Sequence, residues 1–161
     1  MAQQPYNQNR GGGYQGGGGN QQESEYDLNS QKQSIEKWVK SQIDADTVKF
    51  ADKFGDFIAA NGKGMTNSQI RNIFGEMRRI QMNGFNQKEK ISFILLKPKM
   101  AYVVKRFKEN KKLETFFKFF SIGYDVVAEE KDEKNSQLYF ENLMNLMEAV
   151  LAYHKFHGGK E

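Results

Sequence analysis

Thr66-Asn67-Ser68-Gln69 forms a capping box, the local signal in this chain that leaves the least choice of structure. The Thr66 hydroxyl can accept from the Gln69 backbone N–H while the Gln69 side chain reaches back to the Thr66 N–H, which starts a helix there. Beyond it Ile70, Ile73, Phe74, Met77 and Ile80 recur at helical spacing. Five apolar side chains thus fall on one stripe and require a core to cover them. Gly84 supplies the stop. Arg71 and Arg78 lie seven residues apart, about two turns or roughly 10 Å along one flank, with Gly75 between them and Arg79 next in line. Two guanidinium groups beside bare backbone suit an anionic strand.

A second helix signal follows, with Asn86 and Glu89 as a further cap, and runs into Leu95-Leu96-Lys97-Pro98. Proline there forces a boundary or a kink and is well placed in the first turn of another helix. In that helix the spacing turns Met100, Val103, Val104 and Phe107 inward. Lys99, Tyr102 and Arg106, at i, i+3 and i+7, share the opposite side, a basic face with one aromatic in it.

Thr66-Asn67-Ser68-Gln69-Ile70-Arg71, followed by Leu95-Leu96-Lys97-Pro98-Lys99-Met100-Ala101-Tyr102 and then Lys105-Arg106, resembles the small subunit of the type III-A CRISPR effector, the Csm complex. The resemblance covers residues 32 to 157 and rests on the order, spacing and all-helical setting of the two motifs. It implies a subunit whose copies line up beside the crRNA-bearing backbone subunits and contact guide crRNA and target RNA in antiviral defence. Cleavage and signalling would belong to other subunits. The candidate RNA-binding residues are Arg71, Arg78, Arg79, Lys97, Lys99, Tyr102, Lys105 and Arg106, on and beside the two basic helix faces.

Charge is distributed in a way the total conceals. The chain of 161 residues has a net charge of only +4, but residues 62–121 hold fourteen Lys and Arg against four Glu, a net of +10. Residues 122–161 carry −4, residues 30–61 zero, and residues 1–29 carry −2. The excess of the middle segment lies opposite apolar stripes, as expected of a nucleic-acid-binding flank.

The first 29 residues hold seven of the fifteen glycines and many Gln and Asn, a composition that cannot fill a core and predicts a disordered tail. Arg10-Gly11-Gly12-Gly13-Tyr14 is a single arginine-glycine element in it. Residues 30–161 then form one helical domain, an all-α bundle of about five or six helices. From Gln31 to Asn61 the apolar periodicity is helical, with Asp44-Ala45-Asp46-Thr47 dividing it and Gly62 and Gly64 ending it. Trp38 reads as core or subunit interface. Phe116, Phe117, Phe119 and Phe120 could stack on bases, but they lie inside an apolar helical pattern and read as core. Glu129 to Glu133 reads as a charged linker, and Ser136 to His157 as a last core helix with Asn142, Asn145, Glu148, Ala149 and Ala152 on its outer side.

Several function classes drop out. Zero cysteines exclude disulfides, thiolate zinc sites and a cysteine nucleophile. No apolar run approaches the roughly 18 residues of a membrane span, and the reading is a cytoplasmic protein. There is no P-loop or dinucleotide fingerprint, and no convincing histidine or carboxylate constellation. His154 and His157 lack the further ligands a metal pair needs, so neither metal, cofactor nor enzyme activity is expected. What remains is a non-catalytic RNA-binding subunit, or alternatively a helical adaptor whose basic face meets an acidic protein.

Overall fold

The computed structural model describes residues 25–160, and among these every regular element is helical. The helices are α1 (Leu28–Lys40), α2 (Ala45–Ala59), α3 (Asn67–Asn83), α4 (Gln87–Ile94), α5 (Leu96–Arg106), α6 (Lys111–Glu129) and α7 (Glu133–Phe156), with a short 3₁₀ turn at Ala60–Gly62. α4 and α5 meet at Leu95 without a loop. No helix among the described residues is long and apolar enough to cross a membrane.

Local sequence accounts for the helix ends. Both bonds of the Thr66 capping box form, at 3.2 and 3.0 Å, and Asp44 and Thr47 make a second reciprocal cap. Gly84 takes φ +78 to end α3, a conformation glycine adopts without steric cost. Asn86, Asn110 and Asp132 each accept from the third backbone N–H of the next helix. Pro98 falls in the first turn of α5.

α7 is the spine, packing against α1, α2, α3 and α6. α2 runs antiparallel to it, since Asp52 meets His157 while Gly55 meets Tyr153. The core is largely aromatic: Phe54, Phe93, Phe116, Phe119, Phe120 and Phe140 are fully buried. Phe54 lies 4.8 Å from Phe119, and Phe85 stacks on Phe140 at 4.3 Å. Each such ring contributes roughly 1.5–3 kcal/mol of burial, with ring pairing on top. Trp38 is 4% exposed and packs on Phe50, so it belongs to this core.

Four details depart from the sequence reading. α1 begins at Leu28, and Tyr26 packs edge-on against Phe54 at 5.0 Å, so the folded part extends ahead of residue 30; residues 1–24 of the expected disordered tail lie outside the described residues. The charged linker is shorter than expected, because Asp132 caps α7 at Glu133. Phe107 is 44% exposed, because α5 has ended and its last turn no longer points inward. Asn142 is buried, its amide donating to the Val39 carbonyl at 2.9 Å where α1 ends against α7. An apolar side chain there would leave that carbonyl unpaired.

α2 and α7 approach so closely at Gly55 that a Cβ added there would sit 2.7 Å from Tyr153 Cβ and 2.8 Å from the His154 backbone nitrogen. Nothing lies within 4 Å of a Cβ at Gly75. Gly55→Ala is therefore expected to cost about 1–3 kcal/mol by forcing the helices apart, while Gly75→Ala adds about 0.5–1 kcal/mol by removing a flexible helical glycine. Thermal melts of the two variants check this. Equal melting temperatures would mean that the two helices do not meet backbone to backbone.

Candidate nucleic-acid interface

The outer face of α5 carries the densest group of candidate side chains. Leu96 and Met100 are buried and Val103 and Val104 half-buried, which turns Lys99, Tyr102, Lys105 and Arg106 to solvent. Tyr102 is 68% exposed. Lys99, Lys105 and Arg106 make no ion pair among the described residues, although the Arg106 guanidinium lies 5.8 Å from the Phe107 ring centroid. By helix periodicity Lys99, Tyr102 and Arg106 share one flank, and Lys105 lies on the neighbouring one. On α3, Arg71 is likewise exposed and without an ion pair among the described residues, on the flank of open Gly75.

Arg78, Arg79 and Lys97 are placed differently. Arg78 donates to Glu148 on α7 and to Gln81 at 2.9 Å, with its guanidinium 5.5 Å from the Phe74 centroid. Arg79 bridges Glu76 and Glu89, both at 3.3 Å. Glu89 is buried, and the Asn83 amide donates to it at 2.9 Å. That amide, followed by the Arg79 charge, holds the Glu89 carboxyl below its usual range against the opposing effect of burial. Lys97 reaches Asp125 on α6 at 2.6 Å and sits 5.0 Å from the Tyr124 centroid. Tyr124 in turn donates to the Ile94 carbonyl at 2.8 Å, and its hydroxyl pKa is raised, first by burial and then by Asp125. These three cations tie α3 to α7, α3 to α4, and α5 to α6. The two exposed pairs, Arg78 with Glu148 and Lys97 with Asp125, add little stability, but with Arg79 on buried Glu89 they orient the helices that carry the free cations.

The remaining sequence candidates resolve by geometry. His154 is buried, its Nε2 2.9 Å from the Met65 carbonyl. His157 lies with Nε2 2.6 Å from Asp52 and Nδ1 3.6 Å from Asp56. Its two nitrogens face separate carboxylates, so the three groups do not converge on one point. Sequence reasoning missed the last residues: the Asn67 N–H donates to the Lys160 carbonyl at 2.8 Å, pinning the chain after α7 to the start of α3. A tie between positions so far apart leaves no local pattern to read.

Comparison with known proteins identifies one family model, described as Csm2 Type III-A, which matches residues 41–160. No curated protein and no solved structure matches the chain.

Burial lowers the His154 pKa, opposed by its bond to Met65. The folded state therefore binds fewer protons than the unfolded one below the usual histidine value of 6.5. Stability from this group is complete above that value and is lost as pH falls toward the lowered folded value. Urea unfolding of the wild type is expected to shift to lower denaturant between pH 7 and about pH 5. His154→Gln, which keeps a donor to Met65, should lack that part of the shift; an identical pH dependence in both proteins would contradict a neutral buried imidazole.

Proposed function

The chain belongs to the Csm2 family, a structural subunit of the multi-subunit type III-A CRISPR complex, and from that membership we propose that it binds the RNA backbone of the complex through α5 and the flank of α3. The observation that carries the reading is the division among the cations. Lys99, Lys105, Arg106 and Arg71 reach solvent with no carboxylate partner among the described residues, and exposed Tyr102 stands among three of them. Unpaired cations gain most from phosphate because no internal ion pair has to break first. Arg78, Arg79 and Lys97 act on RNA indirectly, by fixing the helices.

The RNA partners are the guide crRNA and the target RNA, and the contact is independent of sequence, since base pairing between them does the reading. The chain acts without catalysis and needs no cofactor; it contributes affinity and position in antiviral defence, in the cytoplasm, beside other subunits and further copies of itself. One observation favours a second reading for the neighbouring surface. Ile91 and Ile94 on α4 and Leu95 at its junction with α5 are 61%, 40% and 50% exposed, and aliphatic groups of that kind suit a protein contact, as an adaptor would make.

Retention of labelled single-stranded RNA across a salt series separates the readings. Removing Arg71, Lys99 or Arg106 should each lower the magnitude of the log-affinity against log-salt slope by roughly 0.7, equally for unrelated sequences. Neutralising Arg78 or Lys97 should affect helix orientation and melting more than the slope, and Lys131 with Lys134 serves as the distant control. If the control pair weakens retention as much as Arg71 with Lys99, only net charge matters and the site is wrong.

Tyr102→Ala is expected to lose about 1–3 kcal/mol of RNA affinity, the range for one stacked base. Its melting temperature should not change, because the ring is mostly exposed. A lower melting temperature with unaltered RNA binding would make the ring a packing element.

A further inference from the structure

α7 ends in an aromatic group for which the fold has no use. Phe156 is 77% exposed, although it sits at the end of the helix that forms the spine of the core. Its ring lies edge-on to His157 at 5.0 Å and to Tyr153 at 6.4 Å, while Tyr153 and His157 face each other at 6.3 Å with 25° between their planes. Both supporting rings are fixed: Asp52 and Asp56 hold His157, and Tyr153 packs on Gly55. Phe156 therefore stands on a rigid base with its outer surface open.

Cations gather at the same end. After α7 the chain turns, with the Gly158 N–H donating to Lys155 and the Gly159 N–H to His154, and the Lys160 carbonyl then accepts from Asn67. A Cβ at Gly62 would lie 3.2 Å from the Gly158 oxygen. Lys63, Lys155 and Lys160 thus stand on chain segments that meet where α7 ends and α3 begins, all three exposed and without an ion pair among the described residues. Arg71 lies one turn beyond Asn67. Among the described residues, Asp52 and Asp56 face this end, and both are turned onto His157. An exposed ring at the end where unpaired lysines stand suits a nucleobase held by its phosphates, whereas lysine is depleted at protein–protein interfaces.

We propose that Phe156 stacks on a base of single-stranded RNA whose backbone is held by Lys63, Lys155 and Lys160. This site rests on the RNA-binding reading above and extends it to a second aromatic contact at the clasped ends of α3 and α7. Stacking tolerates every base, as a subunit that leaves sequence to a guide requires.

The test uses the full chain and a fluorescein-labelled oligouridylate. Phe156→Ala should weaken binding about 5- to 150-fold, the span for one stacked base, with the melting temperature unchanged. The salt slope should also stay unchanged, since the ring carries no charge. Phe156→Tyr should bind as the wild type, and Phe156→Leu, apolar but without a ring, should bind like the alanine variant. Phe156→Trp should be quenched by the RNA, against a constant background from buried Trp38. If Arg71→Ala lowers the slope while Phe156→Ala binds as the wild type, the stacking site is overturned and the RNA-binding reading stands. Wild-type affinity in Phe156→Leu also overturns it, as does a Phe156→Ala chain that keeps its RNA but fails to enter a reconstituted effector, which would make the ring a protein anchor. A wild type that retains no RNA at any salt removes both readings.

Discussion

The near contact of two backbones at Gly55 is the constraint from which the rest of this molecule follows. Because no side chain separates α2 from α7 there, α7 can lie deep enough to touch α1, α2, α3 and α6 at once. Its apolar face, with Phe140, Leu143, Met144, Leu146, Met147 and Val150 all buried, then completes a single aromatic core. The same approach sets His157 against Asp52 and leads the chain back to the cap of α3. The ends of the spine and of the basic helix are joined as a consequence of close packing, with no interface of their own.

Charge divides the middle of the chain into cations that hold the fold's outer shell together and cations that face outward. Arg78, Arg79 and Lys97 each meet a carboxylate from another helix. Each such pair costs desolvation and side-chain freedom, and the exposed ones, Arg78 with Glu148 and Lys97 with Asp125, return little net stability; with Arg79 on buried Glu89 their effect is geometric, holding α3, α4 and α5 at fixed angles to α6 and α7. Arg71, Lys99, Lys105 and Arg106 then project from a frame already set. Preorganised cations on rigid helices bind a flexible polyanion with less ordering cost than cations on loops would.

The fold was largely legible in the sequence because its signals are local. Caps at Thr66 and Asn86, the break at Asp44, glycine at 84 and proline at 98 each act within a turn or two, and the apolar periods identified the buried faces of α3, α6 and α7. What escaped was set by partners far along the chain. Asn142 looked like a surface residue on α7 until the end of α1 met it, and Phe107 looked buried because the period was continued past the end of α5. The candidate site was legible in the same uneven way. Spacing identified Lys99, Tyr102 and Arg106 as one exposed flank, but nothing local distinguishes Arg78, which meets Glu148 seventy residues away, from Arg71, which meets no acid among the described residues. Phe156 was not singled out, because no local pattern shows that the last turn of α7 leaves its ring in solvent.

Whether the outer face of α5 meets RNA or protein is decided by a photoreactive phenylalanine analogue in place of Tyr102, carried into the assembled type III-A complex and irradiated. RNA contact at this face yields an adduct to guide or target RNA that ribonuclease trims to a short labelled fragment on this subunit; an adduct to another protein subunit alone, resistant to ribonuclease, would contradict it.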